Sequence, residues 1–491
     1  MNNLFVLEKQ KIKKSSELFD GVTIESTLLV LDCDISINAI EIPMQISDLV
    51  FVSCSCTSDL SIHSNNELTE LRFEYGNSFK NINVSGVYKR VIFNTTKTFS
   101  RVYYPDDYKL SDFKVVSFLK EARSNRLEFF SFMAHAIKCV GVVDEFFIHD
   151  ATVRDDVTII SSEQSSVSIR GLDSKELHFT GAYKGISINT GCNIGSLYFD
   201  ARSGDMRNVD MDLWNSKIYS QLQLVGGSDN KVTQFIIKNA GYSSIKSLVL
   251  NRTLLSCFVI SNCDLTNTEV SLINTKLDEM LTEGVSWPFN IEVSHFNYRK
   301  DALLEADQKQ SVYRQLKSLS QKNKDVDNFL FFRRKEYDTT LSILSCKLIL
   351  LISYFITIGF DFIGLGRDRV LPVVGKNSNN NKMSEFISVL SNWIILKVSS
   401  ILSLYGTSLF RPIAALVFGV PFLLFCFGYY ESVVQLLYLS AYVIDPTHKL
   451  DVIILGKEVT ISPIHSLFFK IFSSSLIFNV VMVFRKYNLS V

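Results

Sequence analysis

The sequence predicts a multidomain chain: an N-terminal β-solenoid, all-β apart from two helical-hairpin insertions, followed by a C-terminal α-helical transmembrane bundle. Three observations predict this fold class. Short apolar–polar–apolar runs recur about every ten residues in the first part of the chain. Two other segments show helical spacing, and long apolar stretches are confined to the last third. With 491 residues, the chain is long enough for two or three domains.

The composition narrows the possible partners and sites. The chain has 50 basic and 50 acidic residues, so its total charge gives no steering toward nucleic acid, and no such partner is predicted. Of nine cysteines, Cys54 and Cys56 lie close together, in a spacing that suits neither a zinc site nor a secreted disulfide framework. We therefore expect free thiols, no metal and no cofactor. Residues 1–20 lack an apolar core, so no signal peptide is predicted and the N-terminal region is expected in the cytosol.

Two blocks of short strands are predicted, at residues 1–110 and 147–285. The first contains runs such as 71–73 (LRF), and the second contains runs such as 177–179 (LHF). The linkers between runs are short and rich in Ser, Asn, Asp and Gly, as turns require. Two strands per turn give coils of about twenty residues, which bury their apolar faces by stacking. An antiparallel β-sandwich, whose strands recur at a similar spacing, is the alternative.

Helical hairpins are predicted at 111–146 and 286–340. Segments 112–138 and 312–335 share a layout, because an apolar face, a polar bend and an aromatic second half follow one another in both. This similarity suggests a tandem duplication of a β-block with a hairpin. Their phenylalanines are expected to pack on a solenoid end as a cap; these are Phe129, Phe130, Phe132, Phe329, Phe331 and Phe332.

The transmembrane domain is predicted at 341–491. Its four candidate spans are residues 341–360, 386–404, 412–430 and 463–484, each close to the roughly 20 residues that cross a bilayer. The basic clusters at 333–335 and 485–486 favour the cytoplasmic side, which requires an even number of spans. Four spans are expected, and two spans with the first pair at the membrane surface are the alternative. The predicted location is the inner (plasma) membrane, multi-pass, with both termini cytoplasmic and with lipid as a partner.

Residues 313–317 (YRQLK) and 331–336 (FFRRKE) resemble the connecting element of certain bacterial membrane proteins. Those proteins join a pentapeptide-repeat or similar β-solenoid region to a two-helix, potassium-channel-like module. Trp393 with residues 402–412 (LSLYGTSLFRP) is similar to their W…L-x-x-Y-G-x-x-x-x-R-P entry into the outer helix. The resemblance covers about residues 311–491 and implies a helix, a half-helix and a second helix, which enclose a pore only in a homo-oligomeric ring.

The chain departs from that family at its selectivity filter. The family's filter resembles T-V-G-Y-G-D, whose backbone carbonyls replace the hydration shell of potassium. Here the half-helix is predicted at 433–444, and residues 445–449 (DPTHK) after it contain no glycine. This stretch cannot adopt the filter conformation, so a potassium-selective pore is not expected.

Two groups of functional residues are predicted. Candidate pore-lining or gating residues lie in or near the last span, where ionisable groups more often face a bundle interior or water than lipid; they are Lys470, His465, Asp445 and Tyr442. For Lys470, snorkelling to the interface is the alternative. Candidate coupling residues follow the family resemblance and the connector; they are Tyr313, Phe332, Arg333, Arg334, Tyr405 and Arg411.

These observations predict a cytosolic β-solenoid that senses or docks an unknown protein partner. The solenoid is coupled to a channel-like oligomeric membrane domain without a potassium filter, and a membrane-permeabilising effector is a candidate role. The alternative is a non-conducting, membrane-anchored scaffold for protein–protein interaction. An enzyme is not expected, because the second β-block has one adjacent acidic pair, Asp155 and Asp156, which a solvated turn explains.

Overall fold

The structure is a computed structural model that describes residues 4–22, 26–74, 76–94, 112–120, 122–227, 230–292, 302–362, 379–403, 410–429, 432–454 and 456–488. The chain divides into two compact units, Met1–Phe296 and Asn297–Val491. The first is a β-solenoid of about 12 turns, and the second contains the long helices. This division confirms the predicted β-solenoid followed by a helical C-terminal part.

The described residues of the solenoid unit form one short helix and 23 strands, which make one continuous sheet. The helix is α1 (Ser15–Phe19). The strands are β1 (Leu4–Glu8), β2 (Lys11–Ile12), β3 (Ser26–Leu31), β4 (Asp34–Ile35), β5 (Ala39–Ile42), β6 (Ile46–Val52), β7 (Ser55–Phe73), β8 (Ser78–Asn94), β9 (Asp112–Phe118), β10 (Arg123–Phe130), β11 (Met133–Cys139), β12 (Val142–His149), β13 (Thr152–Arg170), β14 (Asp173–Ile188), β15 (Asn193–Asp200), β16 (Met206–Asp212), β17 (Lys217–Val225), β18 (Val232–Lys238), β19 (Ser247–Asn251), β20 (Leu254–Asp264), β21 (Glu269–Ile273), β22 (Lys276–Ser286) and β23 (Ile291–Glu292).

The strands stack in two rows, which we call the first and second row. The first row contains β1, β3, β6, the C-terminal parts of β7, β8, β13 and β14, and β10, β12, β16, β18, β20 and β22. The N-terminal parts of the four long strands and the remaining strands form the second row. All pairings between described residues of these rows are parallel, which excludes the antiparallel sandwich. Val157 pairs with Leu177, and Leu177 with Leu197, so these coils have the expected length of about twenty residues.

Aromatic side chains stack along the interior of the first row. Phe51, Phe73, Phe93 and Phe129 are consecutive rungs, with ring centroids 5.2, 4.7 and 5.0 Å apart. Each stacked pair contributes about 0.5–1.5 kcal/mol beyond the burial of its area. Because inward positions alternate with outward ones along each strand, the apolar–polar–apolar runs of the sequence place their ends in this core.

The helical hairpin predicted at 111–146 is wrong. The described part of this segment forms β9, β10, β11 and β12, which continue both rows of the solenoid. Phe129 and Phe132 are 1 % and 0 % exposed inside the solenoid, so they do not cap its end, while Phe130 points outward. An apolar run of this length fits both a helix and a strand, and pairing with β8 selects the strand. The duplicated hairpin inferred from this segment is therefore wrong as well.

The second unit contains seven α-helices, a π-helical turn and one β-hairpin among its described residues. The helices are α2 (Ala302–Lys322), α3 (Val326–Phe362), α4 (Asn379–Ser403), α5 (Phe410–Ala414), α6 (Val420–Cys426), α7 (Val433–Ile444) and α8 (Pro463–Asn488), with the π-turn at Ala415–Gly419. The hairpin strands are β24 (Asp451–Ile454) and β25 (Lys457–Thr460). A helical hairpin, formed by α2 and the start of α3, is present within the predicted range 286–340.

Two helices among the described residues are long and apolar enough to cross a membrane: Val326–Ile356 in α3 and Pro463–Val481 in α8. The expected span at 412–430 is a shorter apolar helix that ends at Cys426. Its irregular middle has a physical cause, because Pro421 lacks an N–H and its ring crowds the carbonyl four residues earlier, which a π-turn relieves. The arrangement of four spans stays a prediction.

Candidate functional site

Helices α6, α7 and α8 pack around one apolar core with the β24–β25 hairpin. This core contains Val420, Leu424, Leu439, Val443, Ile454, Ile461 and Phe469. The 12-residue helix α7 begins at Ser432, whose hydroxyl accepts a hydrogen bond from Gln435 N at 3.2 Å. The 7-residue α6, the 12-residue α7 and the 26-residue α8 thus follow one another in this core.

The stretch at 445–449 folds into a closed polar turn. The carboxylate of Asp445 accepts hydrogen bonds from Thr447 N at 2.8 Å and from Thr447 Oγ1 at 2.7 Å, which hold its pKa below the usual range. Lys449 N donates to the hydroxyl of Tyr442 at 2.8 Å. His448 Nδ1 lies 2.8 Å from the carbonyl of Asp445. Asp445 and Tyr442 therefore support a turn that leads into a β-hairpin, a feature that the sequence analysis missed.

His465 is held at the start of α8. Its Nδ1 lies 3.0 Å from the hydroxyl of Tyr429, and its ring stacks on Phe427 with centroids 4.4 Å apart. The same hydroxyl accepts a hydrogen bond from Ser462 N at 2.9 Å, so Tyr429 contacts both the imidazole and the residue before α8. Lys470 lies further along α8 and is half-buried. The two residues are not brought into one cluster by the described contacts, and a pore-lining role for either stays a prediction.

The predicted coupling residues lie mostly where α2 packs on α3. Tyr313 and Phe332 are 2 % and 0 % exposed. Arg333 lies over the ring of Tyr337, with its guanidinium carbon 5.5 Å from the ring centroid. Arg334 is 4.0 Å from the carboxylate of Asp338, one turn away.

The strongest polar contact between α2 and α3 was not predicted. Glu336 accepts hydrogen bonds from Arg314 at 3.0 Å and from Lys317 at 2.5 Å, and only 9 % of its side chain is exposed. Arg411 donates from Nη1 to the carbonyl of Ser400 at 3.3 Å and so joins α5 to α4. Tyr405 lies outside the described residues. Glu336 directly follows the basic cluster at 333–335, and its partners Arg314 and Lys317 lie about twenty residues earlier, so no local pattern in the sequence identified this contact.

The candidate spans expose apolar side chains along their length. In α3, Ile349 and Leu350 are 66 % and 60 % exposed. In α8, Leu467 and Ile471 are 60 % and 63 % exposed. Contiguous apolar exposure of this kind marks a surface that binds lipid or protein.

A groove with a volume of about 730 Å³ lies on the outer face of the first row of the solenoid. Its lining comes from six strands, β1, β3, β6, β7, β8 and β10, and includes the apolar residues Leu29, Val50 and Phe130, the acidic residues Asp48, Glu70, Glu74 and Glu128, and the basic residues Arg72 and Arg90. The parallel register places charged residues of successive strands next to one another, because Asp48 pairs with Glu70 and Glu70 pairs with Arg90. Sequence reasoning missed this groove, since its members come from separate coils.

Glu128 anchors the charged part of the groove. Its side chain is 0 % exposed, and its carboxylate accepts hydrogen bonds from Arg90 Nη2 at 2.8 Å and Nε at 3.3 Å. It also forms an ion pair with Arg126, whose guanidinium carbon lies 4.5 Å from the ring centroid of Phe147. A buried carboxylate with two partners fixes both arginines and makes the groove a preorganised polar surface.

Within the part of the chain that the structure describes, no group of three or more His, Cys, Asp or Glu residues could hold a metal ion. Comparison of the chain with protein-family models, with curated proteins and with solved structures finds no match. The resemblance to channel-like membrane proteins therefore stays a prediction from residues 311–491.

Proposed function

We propose that this protein is a membrane-anchored β-solenoid whose solenoid docks a protein partner on the cytosolic side of the plasma membrane. The observation that supports this proposal best is the pair of long apolar helices α3 and α8 with exposed apolar faces, in a chain whose other unit is a solenoid. Helix α3 has 37 residues and a length of about 55 Å, beyond the roughly 30 Å of a hydrocarbon core. Its first turns, which contact α2 through Glu336, then lie outside the bilayer.

Docking is assigned to the groove on the first row. Solenoids present long, regular surfaces to partners, and this groove combines apolar lining residues with fixed charges. A partner segment with apolar and basic side chains complements the acidic excess of the lining. Binding and anchoring need no catalytic group, so we propose no enzymatic activity.

Anchoring is tested by charge substitution on both candidate spans. The double variant Leu350→Asp/Ile471→Asp places a carboxylate on each exposed apolar face, at a cost of about 2.5–3.5 kcal/mol per span. We expect alkaline carbonate to release this variant from membranes while the wild-type chain stays in the pellet. Leu281→Asp, on a solenoid side chain that is 48 % exposed, is the matched control and should stay bound. Release of the wild-type chain itself would contradict the anchor.

A second candidate function is an oligomeric pore that permeabilises membranes as an effector. The specific observation in its favour is the shared core of α6, α7 and α8, in which the 12-residue apolar helix α7 lies between the helical segment Phe410–Cys426 and the 26-residue α8. One copy of such a frame encloses no channel, so this function requires a homo-oligomeric ring. The polar turn at 445–449 offers no potassium filter.

A further inference from the structure

Two cysteines occupy the same corner of adjacent coils near the start of the solenoid. Asp34 pairs in parallel with Ser55, and Ser55 N donates to the carbonyl of Cys33 at 2.9 Å. Cys33 and Cys54 each precede a member of this pair and therefore lie directly opposite one another. Neighbouring strands are about 4.8 Å apart, and a disulfide requires Cα atoms about 4.4–6.8 Å apart. The coil spacing thus matches the disulfide span.

The two corners share one backbone conformation. Asp32 and Ser53, which precede the cysteines, have φ angles of 50° and 53°. Cys33 and Cys54 are 2 % and 0 % exposed, so both side chains point into the solenoid interior. The Cys33 thiol donates to the carbonyl of Leu31 at 3.2 Å, and the Cys54 thiol lies 3.3 Å from the carbonyls of Val30 and Val52. The neighbouring Cys54 thiol holds the pKa of Cys33 below its ordinary value, while burial raises the pKa of Cys54.

We propose that Cys33 and Cys54 form a disulfide when the protein meets a peroxide, which makes this corner an oxidant-responsive modification site. The Cys33 thiolate attacks one oxygen of hydrogen peroxide, and the O–O bond breaks. Cys33 becomes a sulfenic acid, and the released hydroxide takes up a proton to form one water. The sulfur of Cys54 then attacks the sulfenic sulfur, which forms the disulfide bond and releases hydroxide. This hydroxide takes the proton of the Cys54 thiol and becomes a second water. The two thiols lose two electrons in total, and the peroxide accepts them.

Cys263 is a matched comparison within the same solenoid. It follows Asn262, whose φ is 52°, and it is 1 % exposed with its thiol 3.1 Å from the carbonyl of Ser261. Its register partner on the following coil is Val285, and Asp264 N binds the carbonyl of Ala240 on the preceding one. Burial raises the pKa of this thiol. Cys263 therefore has the corner geometry without an opposing cysteine.

The test is peptide mapping of the full chain under non-reducing conditions after treatment with hydrogen peroxide and thiol blocking. We expect a Cys33–Cys54 linked peptide that disappears on reduction and in Cys54→Ser, and that persists in Cys263→Ser. In Cys54→Ser, a 1,3-diketone probe should trap the sulfenic acid at Cys33 and not at Cys263.

Cys426 is exposed, so its oxidation shows that enough peroxide has reached the protein. The proposal is overturned if Cys426 is oxidised while Cys33 and Cys54 of the wild-type chain remain thiols, or if either forms its linkage with another cysteine. This mapping uses the wild-type protein, so the outcome does not depend on how a variant folds.

Discussion

At the scale of single residues, Glu128 has an environment that its sequence neighbours do not supply. Its partner Arg90 is 38 residues earlier in the chain and reaches it because β8 and β10 are adjacent rungs. In the sequence, Glu128 lies within an aromatic run that was predicted as a helix. Its burial and its partners follow only from coil stacking, which is why the groove could not be predicted.

Replacement of Glu128 tests the groove. Glu128→Leu should lower the free energy of unfolding by about 2 kcal/mol, because Arg90 and Arg126 lose their shared partner. Their side chains are 42 % and 44 % exposed, so water moderates this loss. A photo-cross-linking residue in place of Phe130 reports on partner binding in membranes. Its cross-linking yield should be several-fold lower in Glu128→Leu than in the chain that keeps Glu128. Urea unfolding and cross-link yield are the two measurements.

The control for this substitution is Glu67→Leu. The carboxylate of Glu67 is 54 % exposed and 3.8 Å from Lys89, so its loss should cost less than about 0.5 kcal/mol and leave cross-linking unchanged. Equal capture by the two variants would contradict a docking role for the groove.

At the scale of structural elements, two long strands turn a coil corner with the same motif. In β8, Gly86 has a φ of 112° and the hydroxyl of Tyr88 donates to the carbonyl of Ser85 at 2.8 Å. In β14, Gly181 has a φ of 111°, and the hydroxyl of Tyr183 donates to the carbonyl of Ile159 at 2.6 Å and lies 3.2 Å from that of Thr180. The sequences SGVYK (85–89) and TGAYK (180–184) carry this repeat, which was visible in the sequence and was missed.

Substitution of the corner glycine should destabilise the solenoid. In Gly181→Ala, the added Cβ would meet the carbonyl oxygen of Ser161 at 1.8 Å, and a φ of 111° is strained for any side chain. We expect a loss of at least about 2 kcal/mol in the free energy of unfolding, measured by urea denaturation. Gly185→Ala, four residues on, meets nothing within 4 Å and should change stability by less than about 0.5 kcal/mol. Similar values for the two variants would refute the role of the corner.

The two predicted hairpins had opposite outcomes for a physical reason. Residues 112–139 are not bounded by strong helix signals, and a run with apolar residues at both spacings adopts the structure that its neighbours can pair with. Here the neighbours are the edges of β8 and β13, so strands form. In α2 and the start of α3, charged residues separate the apolar ones at helical spacing, and the charged contacts of Glu336 join the two helices.

At the scale of the whole molecule, the pore candidate depends on several copies of the frame formed by α6, α7 and α8. The purified chain in liposomes should then release trapped ions, and Lys470→Leu should change the ratio of anion to cation flux several-fold, because a lysine that lines a pore repels cations. Lys449→Leu, on the exposed turn after α7, is the control and should leave the ratio unchanged. A monomer in detergent, together with silent liposomes, would leave the anchored scaffold as the function.

The sequence by itself determined that a strand-rich part is followed by a part with long apolar helices. Both follow from local patterns, because alternating apolar residues indicate a half-buried strand and long apolar runs indicate an apolar helix. It also determined the missing potassium filter, since no glycine occurs at 445–449. Only the tertiary structure decided the strands at 112–149, the groove around Glu128, the contacts of Glu336 and the facing thiols of Cys33 and Cys54. Each of these depends on which coils or helices become neighbours, and contacts between residues about twenty or more positions apart are set by stacking rather than by local pattern.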